Sequence, residues 1–141
     1  MRRNRLRELL RDGQPSVGTR IMSPWPRVIE VVGHSGMFDY IEFVAEYGPY
    51  DLHDLDNICR AAELHNLSSM IKVDQVPRQF VAQRAIGSGF QSVLFADVYT
   101  AEEAEECVRC VKPSTPEAVS YTHLRAHETE ADLVCRLLLE K

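Results

Sequence analysis

The stretch "FDYIEFVAEYGPYDLHDL", residues 38–55, decides the fold. Phe38 to Val44 reads as a buried strand, yet Glu42 interrupts the apolar run, and the strand ends on Glu46-Tyr47-Gly48-Pro49-Tyr50 instead of a plain turn. Asp51 then stands where a helix N-cap is needed, with acidic residues in the first turn and Leu52, Leu55, Cys59 and Ala62 on one face at helical spacing behind it. Strand, polar corner and helix form one βα unit.

Three more such units flank it. "SVGTRIMS" reads as a strand followed by the helix "SPWPRVIEVVG", with Ser23 as its expected N-cap. "SSMIKVD" is a strand leading into "VPRQFVAQRAIGSG", a helix closed by Gly87 and Gly89. "QSVLFADV" leads into "TAEEAEECVRCVK", which opens on a Thr100–Glu103 capping box. A short helix, "RRNRLRELLRDG", precedes them all. Successive βα units force parallel pairing with right-handed crossovers, so the expected class is α/β, of barrel or doubly wound type. Both architectures bind ligands at the carboxyl ends of strands, which singles out Glu46-Tyr47, Lys72-Asp74 and Asp97.

Composition narrows the function classes. At 141 residues, 45% hydrophobic and 26% charged, the chain matches an ordinary globular domain. A net charge of −5 argues against nucleic acid or an anionic membrane as partner, and the basic "MRRNRLR" start is read as a solvated helix face. No apolar run approaches the roughly 20 residues of a membrane span, and a signal-peptide core is lacking, so a cytoplasmic address is expected. The four cysteines are then expected to be reduced; Cys107-Val-Arg-Cys110 lies inside a helix, where it serves burial. "GSG" at 87–89 precedes a strand, the wrong context for a dinucleotide loop, and His34, His53 and His65 are too scattered to suggest a common metal.

Taken in order, "GMFDYIEFVAEYGPYDLHDL", "MIKVD", "GSGFQSVLFADV" and "TAEEAEECVRCV" resemble the first half of the HpcH/HpaI aldolase/citrate lyase family, over residues 4–113. That resemblance implies a partial TIM (β/α)8 barrel: about four βα units after an N-terminal helix. It also implies a lyase that cleaves a 2-oxo-4-hydroxy acid to pyruvate and an aldehyde, with a divalent metal (Mg, Mn or Co) stabilising the enolate. The family's metal ligands come from later strands. The small-molecule partner would be a 2-oxo acid, and the whole protein a homo-oligomer.

Carried over position by position, Phe38, Asp39, Tyr40 and Glu46 match the family pattern, but Tyr47 stands where an acid–base His is expected and Val44 where its Asp partner often lies. Lys72 takes the place of an Arg that binds the substrate's oxo group, which keeps the charge and loses the fork. The expected catalytic residues are therefore Tyr47, Lys72 and Glu46, with Tyr47 orienting substrate or water, since a phenol of ordinary pKa is a poor base at neutral pH. Two other classes stay open: a Schiff-base aldolase using Lys72, and a non-catalytic module that binds a 2-oxo acid or phosphoenolpyruvate. From residue 119 the pattern stops, and "VSYTHLRAHETEADLVCRLLLEK" resembles a translated sequencing adaptor. The expected organisation is thus residues 1–118 as the amino-terminal half of a barrel, inactive alone, and 119–141 as a non-native tail in which His123 and His127 owe nothing to function.

Overall fold

The computed structural model describes residues 3–112, so the tail assigned to 119–141 lies outside the described residues. Four parallel strands, β1 (Gly18–Ile21), β2 (Tyr40–Val44), β3 (Ser68–Val73) and β4 (Ser92–Phe95), pair in the order β1-β2-β3-β4. The helices are α1 (Arg5–Arg11), α2 (Pro26–His34), α3 (Leu52–Leu64), α4 (Arg78–Ser88) and α5 (Ala101–Val111). Sequential parallel order with a helix after every strand is the topology of a partial α/β barrel.

Alternation along the strands separates two faces. Ile41 and Phe43 of β2, Ile71 and Val73 of β3 and Val93 of β4 form the core with Ile29, Leu55, Ile58, Ala82 and Ala85 from the helices. The other face carries Arg20, Glu42, Val44, Met70, Lys72 and Leu94, which the register aligns across the sheet. Glu42 therefore does not violate the core; it sits on the face turned away from the helices.

Local chemistry sets the element ends. Asp51 and Asp54 form a reciprocal capping box at α3, and Thr100 and Glu103 another at α5. Gly89 closes α4 at a φ of 111°, where a Cβ would be strained. Ser23 does not cap α2: Trp25 occupies the N-cap with no side-chain hydrogen bond and Pro26 fills the first position, so the proline starts this helix by its fixed φ alone. Leu52, expected on the buried face of α3, is exposed, whereas Ile58 and Ala61 complete that face. Cys59, Cys107 and Cys110 are buried, and burial pushes the Cys110 thiol up. Among the described residues, no helix is long and apolar enough to cross a membrane.

Helix α1 lies across the amino ends of the strands. The Leu6 N–H donates to Ser68 Oγ (3.1 Å), Asn4 Nδ2 to the Gln91 carbonyl (3.3 Å), and Arg5 Nε to Asp39 Oδ1 (2.6 Å). Asp39 also accepts from the Val17 N–H at 2.9 Å, so one carboxylate joins α1, the entry to β1 and the entry to β2. With that end closed by α1, the carboxyl ends are left as the place for chemistry.

The Val17 amide, with help from Arg5, holds the Asp39 carboxyl below its ordinary value of 3.8. A depressed carboxylate stabilises the fold above the unfolded pKa, and the stabilisation is lost as pH falls through the folded one. Asp39→Asn is expected to lower unfolding free energy in urea at pH 7 by about 1.5–3 kcal/mol, the range for hydrogen bonds to a charged group. The difference from wild type should shrink as pH falls below about 4; a pH-independent difference would refute the clamp.

Candidate functional site

The corner after β2 is built by Gly48. Its N–H and that of Tyr47 both donate to the Val44 carbonyl, at 3.0 and 3.3 Å, and a Cβ on Gly48 would come within 2.5 Å of the Met22 carbonyl oxygen. Only glycine lets this turn press against the end of β1. The tight turn projects Glu46 and Tyr47 at the carboxyl end of the sheet, beside Lys72 of β3.

There Lys72 Nζ donates to Glu46 Oε2 in a close ion pair, with the lysine side chain 21% and the glutamate side chain 9% exposed. The Tyr47 ring lies with its centroid 5.3 Å from the same ammonium, close enough for cation–π attraction, while the residue as a whole is 69% exposed. The three residues singled out by strand-end position thus meet. Glu46 is held below the ordinary carboxyl range, chiefly by the Lys72 hydrogen bond and then by that of Tyr47. Lys72 is raised, chiefly by Glu46, and Tyr47 is raised because its phenol also donates to Glu46. At neutral pH the arrangement is ammonium, carboxylate and neutral phenol.

A second ion pair stands on the same face. Arg20 Nε lies 3.1 Å from Glu42 Oε1; the arginine side chain is 73% exposed and the glutamate 9%. Arg20 carried no signal in the sequence, because a four-residue strand of mixed character does not declare its faces. Asp97, one of the two other strand-end acids, sits in left-handed backbone (φ 52°) and is exposed; its charge raises both Tyr47 and Tyr99. The β4 end that carries it is tied down by Arg78, a buried residue also missed in the sequence, which donates to the Ala96 carbonyl at 3.1 Å and the Asp97 carbonyl at 3.4 Å and faces the Phe95 ring. Asp74 is exposed beside its own loop.

Two further features lie away from this cluster. A hollow of about 740 Å³ opens between α4 and α5, lined by Val76, Pro77, Arg78, Phe80, Glu103 and Glu106 among others; none of Glu46, Tyr47 and Lys72 lines it. His34 and His65, far apart in sequence, stand with ring centroids 4.6 Å apart, and His34 Nδ1 is 2.7 Å from the Glu30 carbonyl. Among the described residues no three His, Cys, Asp or Glu side chains come together to hold a metal.

Solved structures share this fold. An HpcH/HpaI aldolase from Desulfitobacterium hafniense DCB-2 superposes with a TM-score of 0.71 at 24% identity, over 82% of this chain and 44% of that one. An HpcH/HpaI aldolase/citrate lyase family protein from Burkholderia cenocepacia J2315 gives 0.70 at 24% identity, over 82% and 46%. The citrate synthase SbnG gives 0.70 at 23% identity, over 83% and 46%. The chain thus spans less than half the length of these structures, and the expected partial (β/α)8 barrel is the architecture they share with it. No family model and no curated protein matches the sequence.

The hydrogen-bond order at Glu46 gives a direct expectation. In carboxyl-observed NMR titrations Glu46 should titrate below its ordinary 4.5, with Lys72→Met moving the midpoint up further than Tyr47→Phe does. A midpoint indifferent to Lys72→Met would mean that the pair does not form in solution.

Proposed function

We propose that residues 1–118 supply the first four βα units of a 2-oxo acid lyase of the HpcH/HpaI aldolase/citrate lyase type, one that cleaves a 2-oxo-4-hydroxy acid to pyruvate and an aldehyde. The observation that carries this is the Lys72–Glu46–Tyr47 cluster at the carboxyl end of parallel strands, in a fold shared with proteins of that family. Over half the length of those structures has no counterpart in this chain, so the activity belongs to the whole enzyme.

Each residue has a role consistent with its charge state. Lys72, kept protonated by Glu46, donates to the oxo oxygen, where negative charge grows as the carbon–carbon bond breaks; a donor already aimed there stabilises the transition state more than the ground state. Glu46 holds that ammonium in place. Tyr47, a neutral phenol with a raised pKa, serves as a donor that orients substrate or water and not as a base. The same protonation counts against a Schiff-base mechanism, which needs the free amine of Lys72 as nucleophile. The described residues do not fit a metal site: Glu46 is engaged by Lys72 and Tyr47, and no third ligand accompanies it. A divalent metal of the kind the family uses would draw its carboxylates from elsewhere in the whole enzyme.

In the whole enzyme, Lys72→Ala should lower kcat/KM for pyruvate release about 10–100-fold, the equivalent of one charge-assisted hydrogen bond of roughly 1.5–3 kcal/mol. Tyr47→Phe should cost less, because it removes an orienting donor and leaves the cation. Borohydride added during turnover should trap no substrate on Lys72. Full activity of Lys72→Ala would show that the lysine has no role in the chemistry, and trapping would establish the Schiff-base route in its place.

A further inference from the structure

We infer that Arg20 binds the carboxylate of the 2-oxo acid, with Lys72 on the neighbouring oxo oxygen; the inference rests on the oxo-acid reading proposed above. β1 and β3 flank β2, and on the face turned from the helices Arg20 pairs in register with Glu42 while Lys72 lies level with Val44. Two long cationic side chains thus share one face of the sheet on either side of β2, Arg20 turned to Glu42 and Lys72 to Glu46. Arg20 is close enough to Lys72 for its charge to oppose the lysine's proton. Between them on β2 stand Glu42, engaged by Arg20, and the buried, uncharged Val44.

Substrate geometry asks for such a pair. A 2-oxo acid carries its carboxylate and its oxo oxygen on adjacent carbons, so a planar fork for the first and a compact ammonium for the second, side by side, match it. Lys72 alone is a poor choice for both, because Glu46 already occupies one of its donors. Arg20 is less committed. Of the five N–H groups of a guanidinium, only Nε is directed at Glu42, and although the separation is 3.1 Å, Glu42 Oε1 is buried without a hydrogen bond of acceptable geometry. The contact is an ion pair that holds the arginine over the face and leaves the outer edge of its fork open, at 73% side-chain exposure. Glu42 then acts as a positioning residue for Arg20, which accounts for a carboxylate on an otherwise apolar strand.

Two ligands separate this role from that of Lys72: pyruvate, and methyl pyruvate, which keeps the oxo group but not the carboxylate charge. Binding to the 141-residue chain is followed by NMR in wild type, Arg20→Gln, Arg20→Lys and the Arg20→Gln/Glu42→Gln double variant. The double variant leaves no unpaired carboxylate and guards against loss of folding. Wild type should favour pyruvate, and both Arg20→Gln proteins should weaken pyruvate about 10–100-fold while leaving methyl pyruvate unchanged. Arg20→Lys should lie between, since charge is kept and the fork is lost. Unchanged pyruvate binding in the double variant, or equal affinity of wild type for the two ligands, overturns the assignment to Arg20 and leaves the oxo-acid reading intact. Failure of wild type to bind either ligand overturns both.

Discussion

The molecule depends on which face of β2 the helices cover. Side chains alternate along a strand, so covering Ile41 and Phe43 obliges Glu42 and Val44 to the other side, and parallel register then obliges Arg20 and Lys72 to join them. A slip of one residue would bury Glu42 against Leu55 and Ile58 and expose the core. The hydrophobic effect at one face thereby fixes the placement of every charge at the other, and the ion pairs need supply little of the stability themselves.

What that face can do follows from how its charges are matched. Lys72 and Glu46 are close partners, each shifting the other toward its charged form, whereas Arg20 and Glu42 meet at an oblique contact with much of the guanidinium in solvent. A cation already satisfied is a fixed dipole, suited to stabilising charge that develops during reaction; a cation partly satisfied is suited to capturing charge that arrives with a ligand. The difference arises from position. Glu46 lies beyond β2 in a turn that Gly48 tightens until it can fold over Lys72, while Glu42 is held within the strand and must take Arg20 at whatever angle the register allows.

Much of this was legible in the sequence, for physical reasons that vary by residue. The four βα units, the Asp51 and Thr100 caps and the strand-end cluster were readable because they rest on local rules: period, capping chemistry, and the placement of sites at strand carboxyl ends. Ser23 misled because Pro26 starts α2 without needing a cap. Arg20 was invisible because "GTRI" is too short to show a period, and Arg78 because its role is set by the carbonyls of Ala96 and Asp97, 18 and 19 residues away. His34 and His65 meet only because α2 and α3 are neighbours in space. Register and long-range contacts decide these positions, and no local pattern encodes them.

The proposed chemistry requires Lys72 to be a protonated cation clamped by Glu46. Nitrogen-detected NMR of the 15N-labelled lysine side chain during a pyruvate titration at neutral pH tests it most directly. The expected result is an ammonium signal for Lys72 that shifts on ligand binding and stays protonated throughout, and that loses its ordered position in a Glu46→Gln variant. A neutral amine at Lys72 in the free protein, or conversion of the signal to an imine as pyruvate is added, would contradict it.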